Sequence, residues 1–362
     1  MELAIPVGIS FYSFHGLSYI LDIYRKWRKP VRNFADYAVF VSFFPLLVAG
    51  PIERAGHLLP QIQSGRKFNY RQEVQGCRLI LWGMFKKVVI ADSLAVIVQN
   101  SFQHYANQDA FNLIVGIISF SFQIYGDFCG YSDIAVGSAK LLGFEISSYF
   151  RFPYFSRNLA EFWRRWHISL SSWFRDYLYI PLAGSGTSKL RTGRNIFIVF
   201  LVGGFWHGAN WNFIVWGAIH ALGFLALLLL KRNRRYVNSI VAENRLFPSA
   251  KKLIQMILTF LFVAIAWVFF RINSFDTALD LLKRICLHGI QHPAQFLHPY
   301  YYGFQAFKSI CLPLLIEWRF RTKERDILSF TNTFFRRALY PGMLAWILLS
   351  FTKNSSFINF QF

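Results

Sequence analysis

The sequence predicts an all-α fold, a polytopic transmembrane helical protein with re-entrant and interfacial helices. Three observations lead there. Of 362 residues, 54% are hydrophobic and 19% aromatic, while only 16% are charged; mean hydropathy is +0.33. Soluble domains carry about 25% charged residues. Several apolar runs approach the roughly 20 residues needed to cross a bilayer core. The basic residues behind the net charge of +21 sit in short clusters between those runs: "RKWRKPVR" (25–32), "KLRTGR" (189–194), "KRNRR" (231–235) and "RFRTKER" (319–325). This is the positive-inside pattern of cytoplasmic loops. It argues against nucleic acid as the partner and for the lipid bilayer, where such loops attract anionic lipid or an anionic cofactor. Outer-membrane barrel strands would alternate polar and apolar residues over about ten positions, and these runs do not.

Taken in order, the first candidate spans are Ala4–Tyr24 and Asp36–Gly50. The stretch "FFPLLVAGPIERAGHLLPQ" (43–61) has proline and glycine at both ends of a short apolar run. That pattern predicts a broken or re-entrant element. Leu79–Val98 is less regular because it carries Lys86 and Lys87. Phe111–Cys129 reads as a span. Its continuation, "YGDFCGYSDIAVGSAKLLGF" (125–144), places Asp127 and Asp133 in a glycine-rich apolar segment. Buried carboxylates need partners, expected here from Arg164, Arg165 or Lys140, in a structural role.

Next, "EFWRRWHISLSSWFRDYLYIPL" (161–182) has Phe162, Trp166, Leu170, Trp173 and Tyr177 on one helical stripe. Tryptophan- and arginine-rich helices of this kind lie at the membrane interface. His167 shares a helical face with Trp163 and Ser171. The remaining spans are Asn195–Trp206, Trp211–Leu230, Leu253–Phe270, the irregular Tyr300–Trp318, and Tyr340–Phe351. The opening "MELAIPVG" lacks the basic leader of a cleavable signal. Cysteines 77, 129, 286 and 311 show no CxxC or metal spacing and read as core residues. With no repeat and no sizeable soluble segment, one membrane domain accounts for residues 1–362.

Loop charge gives His207 a depth. If "KLRTGR" and "KRNRR" share a side, residues 195–230 form a hairpin turning near "HGAN". His207 lies 13 residues beyond Arg194. A helical rise puts it roughly 20 Å along the leg, past the middle of a core about 30 Å thick. Gly203, Gly204 and Gly208 make the backbone irregular there, which membranes tolerate only against protein or a watery cavity. An ionisable residue at such a place is a functional-site candidate; the alternative is a neutral core histidine bonded to a carbonyl.

The stretches "PVGISFYSFHGLSYILDIYR" (6–25), "FFPLLVAGPIER" (43–54), "GMFKKVVIAD" (83–92), "DFCGYSDIAVGSAKLLGF" (127–144), "FRFPYFSRNLAEFWRRWHISLSSWFRDYLYIPL" (150–182), "GGFWHGANWNFIVWGAIH" (203–220), "WVFFR" (267–271) and the closing "FINFQF" resemble the membrane-bound O-acyltransferase family. They are most similar to its bacterial branch containing the alginate O-acetyltransferase membrane subunit. Nearly the whole chain takes part. Members usually carry further membrane segments before "PVGISFY", on which this chain almost begins, and more often have serine where Cys129 stands.

The resemblance implies acyl transfer to a hydroxyl at an intramembrane active site. His207 matches the family's near-invariant histidine and His167 its second polar position. By that match His207 is the general base. His167 ranks first among donors to the oxyanion, ahead of Asn210, Trp206 or a loop amide. Trp206, Asn210, Trp166 and Arg164 are the substrate-binding candidates. No metal or bound cofactor is implied; the donor expected is a cytoplasmic acyl-CoA, acetyl-CoA. The acceptor expected is an extracytoplasmic polysaccharide such as alginate, reached directly or through an extracytoplasmic acyltransferase partner protein. The setting implied is the bacterial inner membrane, crossed several times. Other readings are D-alanyl transfer to teichoic acid, a non-catalytic transporter or flippase for a polysaccharide precursor, and an inactive structural subunit.

Overall fold

The structure, a computed structural model, describes residues 8–182, 184, 188–237, 239–291 and 301–351. The start of the first expected span, Tyr300 and the closing "FINFQF" lie outside the described residues. Helix α1 is Ile9–Tyr24 and α2 is Phe34–Val41, followed by a 3-10 turn at Phe44–Leu46. The expected span Asp36–Gly50 is therefore not one helix. Eight residues of α2 rise only about 12 Å, and Pro45 and Gly50 interrupt the remainder of that run. The chain then runs extended to α3, Ala55–Gln63, so 43–61 is broken as expected.

The sequence region that reads as an irregular span is one long helical rod. It consists of α4 (Tyr70–Met84), a π-helical stretch (Phe85–Asp92) and α5 (Ser93–Gln103). Against it lies α6, Ala110–Leu141, a 32-residue helix. Glycine permits the contact: a Cβ on Gly83 would sit 2.5 Å from the Gly130 carbonyl oxygen, and one on Gly130 2.8 Å from that of Gly83. Small residues at such crossings let helix backbones approach in membranes. Helix α6 is the central post of the fold, packed also by later helices.

Asp127 and Asp133 on α6 find partners, but not the expected ones. Lys86 Nζ lies 2.5 Å from Asp133 Oδ2 and 2.7 Å from Cys129 Sγ. Lys87 Nζ lies 2.7 Å from Asp127 and 2.8 Å from Asp92. The wide π turn directs two consecutive lysines at two carboxylates six residues apart along α6. Lys140 instead meets Glu145 at 2.5 Å, and Arg165 meets Glu161 at 2.9 Å. Removing one member of such a buried pair costs about 3–5 kcal/mol, because the other charge is left uncompensated.

The segment 161–182 also departs from expectation. It is not one surface-lying helix but α7 (Leu159–Trp163), α8 (Ile168–Phe174) and a π turn, Arg175–Tyr179. The break falls at His167, whose backbone is left-handed (φ 44, ψ 53). Neighbouring chain satisfies the freed backbone groups: Arg151 N–H donates to the Arg165 carbonyl (2.9 Å) and Ile168 N–H to that of Tyr149 (2.8 Å). Phe162, Trp166, Leu170 and Tyr177 are all buried. The stripe thus faces the protein core rather than lipid headgroups. Periodicity reports an apolar face, not what covers it.

Helices α9 (Lys189–His207) and α10 (Trp211–Leu229) form the expected hairpin, turning at 208–210. A Cβ on Gly204 would strike the Phe213 carbonyl, and one on Gly217 the Phe200 carbonyl, so the two legs touch backbone to backbone. Then come α11 (Ala250–Arg271), α12 (Phe275–Gln291), α13 (Tyr301–Arg319) and α14 (Thr333–Ser350); α11, α12 and α13 pack on α6. Among the described residues three helices are long and apolar enough to cross a membrane by length and composition: α6, α10 and α11.

Candidate active site

The last residue of α9 is His207. The turn after it is fixed by two asparagines. Asn210 caps α10 by accepting from Asn212 N–H (3.0 Å), and its Nδ2 donates to the Asn273 carbonyl at 3.2 Å. Asn212 Nδ2 donates to the Ile272 carbonyl. These bonds fasten the hairpin's tip to the junction of α11 and α12, and so set the height of His207. Asn210 is thereby engaged in capping and tying.

The His207 imidazole is half-buried among aromatic rings. Ring centroids of Trp206, Phe270 and Trp216 lie at 4.7, 4.9 and 5.3 Å. Its remaining exposure opens on a cavity of about 640 Å³. Near His207 the cavity walls include Gly203, Trp216, Leu170 and Phe174; its rim carries Arg175, Lys189, Lys231 and Arg234. The hairpin explains this polarity. Its tip holds the histidine, and its two open ends bring the clusters "KLRTGR" and "KRNRR" together.

His167 is buried and lies behind Trp206, not on the cavity wall. Its ring is 6.2 Å from that of Trp206, edge to face. The two histidines thus flank one indole. The Tyr149 hydroxyl lies 2.5 Å from His167 Nε2. Neither His167 Nδ1 nor Trp206 Nε1 has a hydrogen-bond partner among the described residues, although both are buried. Trp216 Nε1, against the His207 ring, is likewise buried with no partner among the described residues.

Trp166 is one layer further back. It packs on Trp267 (5.1 Å), which stacks on Trp216 (5.6 Å), which touches His207. It supports the pocket wall. Arg164 is not brought to the histidines at all. Its guanidinium donates to the Asn233 and Arg235 carbonyls at 3.0 and 2.9 Å and lines a different, polar cavity.

Three residues escaped notice in the sequence. Trp216 and Phe270 sit inside stretches already notable for tryptophan and phenylalanine, but nothing in their spacing says that they meet His207. Tyr149 had no signal; only the backbone tie between 149 and 168 places it. A further histidine, His220, is fully buried on α10 and accepts a bond from Trp163 Nε1 at 3.3 Å.

Two histidines thus flank one indole near the tip of a helical hairpin, beside an apolar cavity with a basic rim. The sequence profile of the membrane-bound O-acyltransferase family matches residues 28–249. The chain belongs to that family. Among its relatives is a Pseudomonas aeruginosa protein named "Probable alginate O-acetylase". It is 41% identical over 290 residues, covering 80% of this chain and 53% of its own. A peptidoglycan O-acetyltransferase of Helicobacter pylori is 34% identical over 360 residues, covering 88% of this chain and 67% of its own. A teichoic acid D-alanyltransferase of Streptococcus thermophilus is 28% identical, covering 73% and 68%. The chain spans about half the length of the alginate relatives it matches. Membership of this branch and the apolar helices α6, α10 and α11 make it an all-α membrane protein.

Proposed function

We propose that the chain is a membrane-embedded O-acyltransferase that takes an acetyl group from acetyl-CoA at the cytoplasmic face of a bacterial inner membrane. The observation that carries this is the cavity joining a basic rim to a half-buried imidazole. An acyl thioester donor has a bulky polyanionic head and a long thin arm. Arg175, Lys189, Lys231 and Arg234 suit the head's phosphates. The apolar shaft suits the arm and leads its carbonyl toward His207.

His207 acts as general base. Its neutral imidazole takes the proton of the attacking hydroxyl as the new C–O bond forms. The tetrahedral intermediate then collapses, breaking the C–S bond, and the proton passes to the departing thiolate. His167, behind Trp206 and off the cavity wall, is a positioning residue that acts through the indole it shares with His207. No acyl-enzyme is needed. The acceptor is a hydroxyl of an extracytoplasmic polysaccharide such as alginate, reached directly or through an extracytoplasmic partner protein. Relatives named for alginate and peptidoglycan O-acetylation favour acetyl over D-alanyl at 41% and 34% against 28% identity.

The test is labelled acetyl-CoA with purified protein in lipid. Thioester cleavage or acetyl transfer that disappears in His207→Ala is expected. Polysaccharide-precursor flux with no acyl chemistry would replace this proposal with a transporter, and neither activity would leave a structural subunit.

A further inference from the structure

Away from the histidines lies a second cavity, of about 770 Å³. Four separate stretches of chain build it: the start of α4, residues 151–165, residues 236–240 and residues 321–326. Arg71, Arg151, Arg164 and Arg165 enter from the first two, and Arg321, Lys323 and Arg325 from the last. Opposing these seven cations are three acids, Glu161, Glu324 and Asp326. The acids are already engaged. Glu161 is clamped by Arg157, which is not on the cavity wall, at 2.8 and 3.0 Å, and by Arg165 at 2.9 Å. Glu324 Oε1 accepts from Ser148 (2.9 Å) and Arg151 (2.9 Å), and Asp326 accepts from Gln75. Burial also raises the Glu324 pKa above its ordinary value, against the opposing pull of Arg151.

Several of the cations are aimed by neutral groups, which orient a charge without cancelling it. Arg164 rests on the Asn233 and Arg235 carbonyls. Arg321 rests on those of Val241, Ala242 and Arg245, at 3.1, 2.6 and 2.5 Å. Arg165 Nε is buried with no partner among the described residues. Loose basic loops would place lysines at random; this wall holds guanidinium charges in fixed positions, which favours a phosphate group electrostatically. The loop 231–237 separates the two cavities: Lys231 and Arg234 face the histidine cavity, Tyr236 and Val237 this one.

We propose that this second cavity binds a phosphate ester group, carried by an anionic lipid headgroup or a soluble phosphate, at a site separate from the path to His207. It stands whether or not the histidine cavity transfers acyl groups. The test uses the full chain in phosphatidylcholine nanodiscs. One arm titrates inorganic pyrophosphate; the other dopes the discs with phosphatidic acid and weighs retained lipid by native mass spectrometry. Saturable binding is expected in at least one arm, and the arm that responds names the source. Arg71 and Lys323 are exposed and hold no part of the fold, so Arg71→Gln with Lys323→Gln should fold and weaken binding by roughly tenfold or more. Lys189→Gln with Arg234→Gln, at the other cavity's rim, should leave it intact. Lack of saturable binding in both arms, or binding indifferent to the first pair of substitutions, would overturn the proposal. So would binding lost equally with the second pair and competed only by CoA, since the cavity would then belong to the donor's path.

Discussion

His167 and His207 flank the same indole, yet the chain delivers them in opposite ways. His207 ends a regular 19-residue helix, with its turn pinned by Asn210 and Asn212. His167 sits at a break between two short helices, on a left-handed backbone, with its Nε2 held by Tyr149. One imidazole opens on a cavity and is surrounded by Trp206, Phe270 and Trp216; the other is sealed behind Trp206. A base that must meet a substrate needs access and freedom from competing bonds. A group that must hold one orientation needs the reverse. The surroundings therefore suit the two histidines to the different roles proposed for them.

The largest expected effect is at the open histidine. His207→Ala should lower acetyl transfer by about 10²–10⁴ while α9 and α10 still insert, because the hairpin rests on Gly204, Gly217 and the asparagine ties. Near-normal transfer by the folded variant would remove His207 from the mechanism. At the sealed histidine, which reaches the cavity only through Trp206, His167→Ala should cost less, about tenfold to a hundredfold. His167→Asn should recover part of that, since an amide still donates, whereas His207→Asn should stay inactive. The double variant should be little worse than His207→Asn alone, because groups acting together lose rate non-additively. A dead His167→Asn beside an active His207→Asn would reverse the assignment.

Smaller still is the tyrosine. Tyr149→Phe keeps the ring against His167 but removes its hydroxyl, which should lower kcat by about tenfold or less, the worth of one hydrogen bond. The acetyl-CoA KM should barely move, since Tyr149 does not line the cavity; a change confined to KM would show that it merely shapes the donor path. The smallest change expected is Trp206→Phe. It retains the ring between the histidines and deletes the unpartnered N–H. Folding stability should fall by roughly 1–2 kcal/mol, measured by thermal unfolding in detergent, because the smaller ring leaves part of the indole's volume unfilled. A larger drop in transfer than in stability would give that N–H a part in the chemistry.

Sequence patterning located the hairpin and its turn. The loop charges require two legs and the glycines mark the turn, and His207 ends the first leg as that pattern expects. The stripe Phe162, Trp166, Leu170, Trp173 and Tyr177 misled, because an apolar face looks alike whether lipid or protein covers it. The helix break at His167 was invisible for a related reason: its stabilising bonds come from Tyr149 and Arg151, whose pairing with 165–168 is tertiary. Partner choice for Asp127 and Asp133 failed similarly. Lys86 and Lys87 read in the sequence as an interruption of a span, and only the π turn shows that both point at α6. Arg164 and Asn210 fell to the oldest ambiguity of polar side chains near a site, which serve the backbone as readily as a ligand.

The left-handed backbone at His167 also has an evolutionary consequence. That conformation costs about 1–2 kcal/mol for a residue with a Cβ and almost nothing for glycine. Mutation and drift should therefore favour glycine, or asparagine, wherever the imidazole is no longer used. Copies of this chain that have lost their chemistry should show that replacement early, while the fold around it survives. A histidine kept at this strained position in a set of closely related strains would be a running record of selection on the side chain itself, readable without purifying the protein.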